Sequence, residues 1–163
     1  MSLTHHLATE HDFTEVYDLY MDTSSNIYLS YDPMSKENFK KIYSGLLQSE
    51  VLYVVKENNN IVATYQLVSK TDRQAHIYYL GGFTIKRKLQ GKGLGKEILL
   101  AIKKDAIADG KKRIELTVDI NNVGAIALYE KVGFLVEGVV KKNYRLASTG
   151  EYYDEYLMGL ILD

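Results

Sequence analysis

The chain has 163 residues, 46% of them apolar and 25% charged, with a formal net charge of −1 at pH 7. This length and composition predict one soluble globular domain over residues 1–163, and the near-neutral charge argues against nucleic acid or an anionic membrane as a partner. The sequence has no cysteine, which excludes disulfides, thiolate metal ligands and a cysteine nucleophile, and is typical of a cytoplasmic protein. At the N-terminus no basic patch precedes an apolar run, so a signal peptide is not expected.

The first half of the chain predicts two helices followed by an antiparallel meander. Thr9 or Asp12 is expected to cap the first helix, and Ser35 the second, after a loose segment that ends near Pro33. Gly81 and Gly82 inside the last strand predict a bulge or a close approach of another group to the backbone. The predicted elements are a strand over residues 3–8, helices over 11–21 and after 35, and strands over 51–56, 61–69 and 76–85, with turns at 57–60 and 72–73.

The second half alternates helices with strands. An amphipathic helix is expected after Leu94, ending at Gly110, and another is expected before Gly133, because glycine commonly follows the last turn of a helix. The remaining predicted elements are a strand over residues 113–118, a helix over 122–132, and strands over 134–146 and 152–162 around a turn at 148–150. The predicted fold class is therefore a mixed α/β (α+β) domain with a mostly antiparallel sheet.

A glycine-rich turn, residues 90–95, lies between a predicted strand and a predicted helix. Glycines let several backbone N–H groups converge on an anion at the positive end of a helix, so the expected guest is a phosphate or pyrophosphate. The turn is neither a Walker A loop, since Glu97 follows Gly95-Lys96, nor a regular dinucleotide fingerprint. A tight turn without a ligand is the alternative. The basic residues nearby are Lys86, Arg87, Lys88, Lys92 and Lys96.

Two motifs resemble the GNAT superfamily of N-acetyltransferases. The pattern Q-x-x-G-x-G at residues 90–95 is similar to that family's acyl-CoA-binding motif, and residues 122–134 are similar to its N-x-x-A-x-x-L-Y-x-K-x-G-F run. Residues 150–160 look like the family's last strand. The resemblance implies a mixed, mostly antiparallel GNAT-like sheet that is splayed at its middle, with helices on both faces, and acetyl-CoA (coenzyme A) as co-substrate without a metal.

The resemblance also implies particular site residues. The backbone of the strand before the loop would bind the pantetheine arm, the loop amides would bind the pyrophosphate, and Asn122 would contact the cofactor. Read alone, Asn122 is better explained as a helix cap and Tyr129 as a core aromatic residue, whereas the glycine-rich turn before them favours a functional role for Tyr129. The expected cofactor-binding residues are Phe83, Thr84, Ile85, Gln90, Gly91, Lys92, Gly93, Leu94, Gly95, Lys96, Asn122 and Lys131.

Acetyl transfer requires a base, an oxyanion donor and an acid. An alkylamine with a pKa of roughly 10 must first lose a proton. A backbone N–H near Ile85 is expected to stabilise charge on the thioester oxygen. Tyr129 is the expected acid that protonates the leaving thiolate. Tyr79 is nominated as the base, and Glu115 or Asp119 acting through water are alternatives. The histidines show no metal-ligand spacing.

The expected reaction is transfer of the acetyl group of acetyl-CoA to a primary amine of a small molecule, by direct attack in a ternary complex. The alternatives are acetylation of a protein N-terminus or lysine, a non-catalytic acyl-CoA-binding module, and a nucleotide-binding protein. A homodimer through a tyrosine-rich sheet edge is left open. The residues considered for the acceptor site are those of 28–32, Glu151, Asp154, Glu155, Tyr144, Tyr152, Tyr153 and Tyr156, with a solvated acidic turn as the alternative.

Overall fold

A computed structural model describes residues 2–163, so Met1, the first residue of the predicted domain, lies outside the described residues. Short 3-10 turns precede α1 at Glu10–Asp12 and α3 at Arg87–Leu89. The helices are α1 Phe13–Tyr20, α2 Lys36–Gln48, α3 Leu94–Ala108 and α4 Val123–Val132. The strands are β1 Thr4–Leu7, β2 Leu52–Glu57, β3 Asn60–Ser69, β4 Ile77–Ile85, β5 Arg113–Asp119, β6 Leu135–Arg145 and β7 Tyr152–Ile161.

The strands form a seven-stranded sheet in the order β1-β2-β3-β4-β5-β7-β6. The pairs β1–β2, β2–β3, β5–β7 and β6–β7 are antiparallel, and β4–β5 is parallel. The predicted mixed fold with a mostly antiparallel sheet is confirmed. By its internal contacts the chain divides into two compact units: an N-terminal unit of Met1–Leu67 with Gly82–Lys92, and a C-terminal unit of Val68–Gly81 with Gly93–Asp163.

The N-terminal unit is built around an aromatic core beneath α1 and α2. Tyr20, Phe39 and Tyr43 are fully buried, with Val16 and Leu52 in the same cluster. Removing apolar surface of this size from water is the main stabilising contribution, at about 25 cal/mol per Å². The helical spacing that predicted α1 and α2 is thus the spacing that brings these rings together.

Ser35 caps α2 as predicted, whereas Thr9 and Asp12 form the capping box of the 3-10 turn before α1, and Asp12 makes no side-chain cap bond to α1 itself. The Thr9 N–H and hydroxyl both donate to the Asp12 carboxylate at 2.9 Å, and the Asn38 N–H donates to Ser35 Oγ at 3.2 Å. The predicted β2–β3 hairpin turn is also present, with Asn58 and Asn59 at φ of 50° and 64°. Asparagine tolerates this left-handed conformation better than most residues, which is why the sequence marked the turn.

The segment between α1 and α2 was predicted to be loose, and it has no α-helix or strand, but side-chain hydrogen bonds hold it in place. It contains a 3-10 turn, Asn26–Tyr28. The buried Asn26 side chain donates to the carbonyl of Tyr20 at 2.7 Å and to that of Tyr31 at 3.0 Å. The Tyr17 hydroxyl donates to the carbonyl of Met34 at 2.8 Å. These bonds between distant residues leave no periodic trace in the sequence.

In the C-terminal unit α3 contacts α4 and β5 contacts β7, and all four elements contribute buried residues. Ile98 and Ile102 of α3 are buried, as are Leu116 of β5 and Met158 of β7. Glycine follows both helices as predicted: Gly110 and Gly133 adopt φ of 74° and 109°. No helix among residues 2–163 is both long and apolar enough to span a membrane.

Strand β5 is paired unequally on its two sides. Its antiparallel pairing with β7 runs from Arg113 to Asp119. Its parallel pairing with β4 covers only the three residues from Ile77 to Tyr79. A strand that loses one neighbour part-way leaves backbone donors and acceptors without a ladder partner, and such positions need another hydrogen-bonding group or solvent.

Candidate functional site

The glycine-rich turn has the backbone geometry of an anion cradle. Gly91 and Gly93 adopt φ of 73° and 85°, and Gly93 is the N-cap of α3. A Cβ at either glycine would meet nothing within 4 Å, so the backbone conformation, rather than space, requires glycine here. Glycine has no side chain with which to cap the helix. The first amides of α3 therefore have no acceptor within the helix, and an anion is their natural partner.

Gln90 fastens this turn to the end of the preceding strand. Its side-chain amide donates to the carbonyl of Ile85 at 3.0 Å. Of the predicted basic cluster, Lys86 is already paired with Glu15 of α1 at 3.0 Å. Lys92 and Lys96 are exposed, and within residues 2–163 no ion pair involves either of them. The charge available to an anion therefore comes from the loop lysines more than from Lys86.

An open cavity of about 580 Å³ lies in the N-terminal unit beside the end of β4. It is lined by Asp22, Lys86, Arg87 and Lys88. Hydrogen bonds from Ser24 hold the pKa of Asp22 below its usual value, and the nearby Arg87 charge acts in the same direction. The cavity therefore combines one ionised carboxylate with three basic side chains.

The three predicted pantetheine-binding residues form the end of β4. Phe83 and Ile85 are half-buried, whereas Thr84 is buried, with a hydroxyl that has no hydrogen-bond partner among the described residues. A second buried hydroxyl without a partner in that part of the chain belongs to Thr64 of β3. Side chains of neighbouring strand residues point alternately to the two faces of the sheet, and the backbone N–H and C=O groups lie along the strand edge. A ligand bound along that edge would therefore contact backbone groups.

Tyr129 lies in the C-terminal unit and is 7% exposed. The ring packs edge-to-face against Phe134, with centroids 5.7 Å apart. Burial raises the pKa of Tyr129, and the nearby Tyr79 raises it further, so the hydroxyl keeps its proton. No hydrogen bond to another of the described residues is recorded for it. The ring of Tyr129 is thus packed as a core residue, as the sequence considered. Its hydroxyl keeps its proton and takes no part in that packing.

Asn122 caps α4, as the sequence suggested. The Ala125 N–H donates to Asn122 Oδ1 at 3.3 Å. Lys131 is exposed on the same helix. The cap alone accounts for an asparagine at this position, so contact with a cofactor stays a prediction for both residues.

The base candidates have different environments. The hydroxyls of Tyr79 and Thr117 lie 3.1 Å apart in the same unit as Tyr129. Burial alone would raise the pKa of Glu115, but hydrogen bonds from Lys70 and Arg113 hold it below its usual value. A carboxylate held in two ion pairs is a weak base, which makes Glu115 a structural residue.

Asp119, the other carboxylate candidate, is buried at the end of β5. It accepts hydrogen bonds from the Asn121 N–H at 2.6 Å and from the Tyr144 hydroxyl. Burial is the larger cause that raises the pKa of Tyr144, and its hydrogen bond to Asp119 raises this pKa further. Both oxygens of Asp119 therefore have protein donors, which favours a structural role.

The acidic residues near the final turn also have partners. Asp154 accepts from the Lys142 N–H at 2.8 Å and from Lys141 Nζ at 2.9 Å. Glu155 accepts from Asn143, and Glu151 from the Tyr153 hydroxyl at 3.0 Å. These pairs favour the alternative of a solvated, internally paired turn over a site for a cationic amine.

Sequence reasoning overlooked Thr117, and it considered Tyr144 for the acceptor site without its hydrogen bond to Asp119. Strand alternation places Thr117 on the same face as Glu115 and Asp119, and this signal was present in the sequence. The contact of Tyr144 depends on a register shift in β6 between Val140 and Tyr144, which strand periodicity does not predict. No group of three or more His, Cys, Asp or Glu residues suited to a metal ion occurs within residues 2–163.

Comparison with known proteins gives consistent results. A family model described as "Acetyltransferase (GNAT) family" matches residues 13–134. The L-amino acid N-acetyltransferase AaaT of Escherichia coli is 51% identical over 49 residues, which are 30% of this chain and 29% of that protein. The SPbeta prophage-derived uncharacterized N-acetyltransferase YokL of Bacillus subtilis is 29% identical over 132 residues, covering 78% of this chain and 72% of YokL.

Solved structures extend the likeness to the whole described fold. The crystal structure of a spermidine N-acetyltransferase from Vibrio cholerae, in complex with CoA and spermine, superposes with a TM-score of 0.83. That match covers 98% of this chain and 95% of the other at 20% identity, so it establishes a shared fold.

Proposed function

The chain belongs to the acetyltransferase (GNAT) family, and on that premise we propose that it transfers the acetyl group of acetyl-CoA to a primary amine of a small molecule. The observation that carries the proposal is the order of the two motifs along the chain. A glycine turn with positive φ at Gly91 and Gly93 begins α3, and a buried, protonated Tyr129 follows on α4. The named relatives support an amine acceptor, since one is called an L-amino acid N-acetyltransferase and another was solved with CoA and spermine.

In this proposal the residues of the glycine turn bind the pyrophosphate of coenzyme A. The amides at the start of α3 supply donors without an intrahelical acceptor, and Lys92 and Lys96 supply positive charge. The geometry of the turn supports a pyrophosphate as the ligand. Its two left-handed glycines orient backbone N–H groups and carry no side chains that would block an anion. Gln90 would keep the turn in register with the end of β4 through its bond to Ile85.

The chain's own groups would then act on the thioester as follows. A backbone N–H near Ile85 would stabilise the oxyanion as the amine nitrogen attacks the carbonyl carbon. The carbon–sulfur bond then breaks, and Tyr129 gives its proton to the leaving thiolate. Tyr79, with its hydroxyl beside Thr117, is the proposed relay for the amine proton: its hydroxyl takes up that proton as it passes its own to solvent, and solvent returns a proton to Tyr129. Metal ligands have no part in this sequence of steps.

A thiol-release assay tests the proposal directly. Acetyl-CoA turnover would be measured as free thiol against polyamines, amino acids, aminoglycosides and short peptides. Because the chain has no cysteine, a thiol reagent reports only released CoA. We expect release that depends on one small-amine class. Release only with peptides would favour a protein acceptor. No release from a protein that acetyl-CoA still stabilises against heat would favour an acyl-CoA-binding module.

A further inference from the structure

Gly82 in β4 has two separate reasons to be glycine. Its φ is +56°, in the left-handed region that residues with a Cβ rarely adopt. A Cβ built on it would also lie 2.8 Å from Tyr20 Oη and 3.2 Å from Gln66 Nε2. The close approach to the backbone that the glycine pair predicted is therefore made by these two side chains of the same unit.

Tyr20 is held firmly against this glycine. Its side chain is fully buried, and its hydroxyl accepts a hydrogen bond from Gln66 Nε2 at 3.0 Å. Its ring lies 5.3 Å from that of Phe39, and its carbonyl accepts a bond from Asn26 at 2.7 Å. A side chain fixed by packing on its ring and hydrogen bonding at its tip cannot yield to a shift of the strand.

The residues that follow Gly82 are those to which the proposed function assigns the backbone contacts with acetyl-CoA. A backbone donor stabilises a developing oxyanion only while it stays in place, and removal of one such donor in other enzymes costs about 100- to 1000-fold in kcat. A misplacement of about 1 Å by a remote change can cost about 100-fold. A change in the strand conformation at Gly82 would therefore displace the following backbone donors and lower the rate.

We propose that Tyr20 and Gln66 are positioning residues, which hold the β4 backbone at Gly82 in the conformation that presents residues 83–85 to the thioester. Neither side chain is among the groups that the proposed function assigns to the reacting atoms. The inference rests on the proposed function and adds two residues that neither motif contains. It also assigns a role to the Tyr20 hydroxyl. This hydroxyl accepts a bond from Gln66 and lies against Gly82, and neither contact belongs to the backbone hydrogen bonding of a helix or strand.

The first test compares two tyrosine-to-phenylalanine variants. Tyr43 is the matched control, because it is equally buried in the same unit and its hydroxyl donates to the carbonyl of Thr9 at 2.6 Å. We expect Tyr20→Phe to lower kcat by about tenfold or more, with the KM for acetyl-CoA within about twofold of the wild type. Tyr43→Phe should lower the Tm by a similar amount and keep the wild-type kcat.

A double-mutant cycle then tests the contact itself, by unfolding and without any activity. Gly82→Ala places a methyl group against the Tyr20 hydroxyl, and Tyr20→Phe removes that hydroxyl. We expect Gly82→Ala to lower the Tm less in the Tyr20→Phe background than in the wild type, because the 2.8 Å approach of the hydroxyl is then gone, while the backbone strain and the 3.2 Å approach of Gln66 Nε2 are common to both. Should Tyr20→Phe fail to fold, Gln66→Met removes the donor and keeps the side-chain length, and we expect a smaller kcat loss in the same direction.

Three outcomes overturn the inference. Equal kcat in Tyr20→Phe and Tyr43→Phe, with the wild type active, overturns it and leaves the proposed function standing. Additive Tm changes in the cycle show that the two residues do not act on each other, which overturns it as well. Wild-type protein that acetylates no amine overturns the proposed function and, with it, the inference.

Discussion

The Tyr129→Phe variant separates catalysis from folding. The change keeps the ring that packs on Phe134 and removes a hydroxyl for which no partner is recorded within residues 2–163. Among the described residues this hydroxyl is not one of the fully buried side-chain atoms that lack a partner, so we expect the free energy of unfolding to change by less than about 1 kcal/mol. General acid catalysis typically contributes about 100- to 10,000-fold. The barrier should therefore rise by about 3–5 kcal/mol.

The assay is thiol release with the best amine, together with CoA binding by calorimetry. We expect kcat to fall by at least 100-fold while the Kd for CoA stays within about twofold. Because the pKa of Tyr129 is raised above its usual value of 10, the wild-type rate should not decline with a tyrosine ionisation below about pH 10. Tyr78→Phe is the control in the same unit, since the Tyr78 hydroxyl donates to Asp109 at 2.7 Å on the surface. Unchanged turnover in Tyr129→Phe would refute its role as the acid.

Three further variants test other parts of the structure. Gly93→Ala should weaken acetyl-CoA binding and lower the free energy of unfolding by about 1–2 kcal/mol, because φ at this position is +85°. Gly45→Ala is the control within α2, where a Cβ has free space, and it should raise the free energy of unfolding, measured with denaturant, by about 0.5–1 kcal/mol. Glu115→Gln should lower the free energy of unfolding by about 1–3 kcal/mol at pH 7 and keep the wild-type turnover. Because the pKa of Glu115 is lowered in the folded protein, the stability that its carboxylate contributes is lost as pH falls below about 4.5, so the stabilities of wild type and variant should converge in acid. Thr64→Val should raise the free energy of unfolding by about 1 kcal/mol, and a lower value would mean that its hydroxyl has a partner.

Features that depend on neighbouring residues could be predicted from the sequence. The cap at Ser35, the left-handed turn at Asn58 and the glycine after α4 each follow from the preference of one residue type for one local conformation. The glycine turn at residues 90–95 belongs to the same class, since its chemistry is carried by its own backbone. Such features need no knowledge of the distant chain.

Contacts between distant residues could not be predicted in the same way. The close approach at Gly82 was anticipated, but the approaching group, Tyr20, lies 62 residues earlier in the chain. Glu115 was considered as a base acting through water, and the structure places Lys70 and Arg113 beside it. A sequence pattern reports that a position is constrained, whereas the partner that constrains it is set by the topology of the sheet.

The aromatic core of the N-terminal unit also has an optical consequence. The chain contains no tryptophan, so its near-ultraviolet circular dichroism comes from tyrosine and phenylalanine alone. Rings in asymmetric, rigid packing produce that signal, and Phe39 stands among the rings of Phe13, Tyr17, Tyr20, Tyr31 and Tyr43 at centroid distances between 5.3 and 6.4 Å. A partly unfolded state in which α1 and α2 have loosened would lose much of this ellipticity while strand absorption in the infrared persists. The two spectra together would reveal whether the aromatic core melts before the sheet.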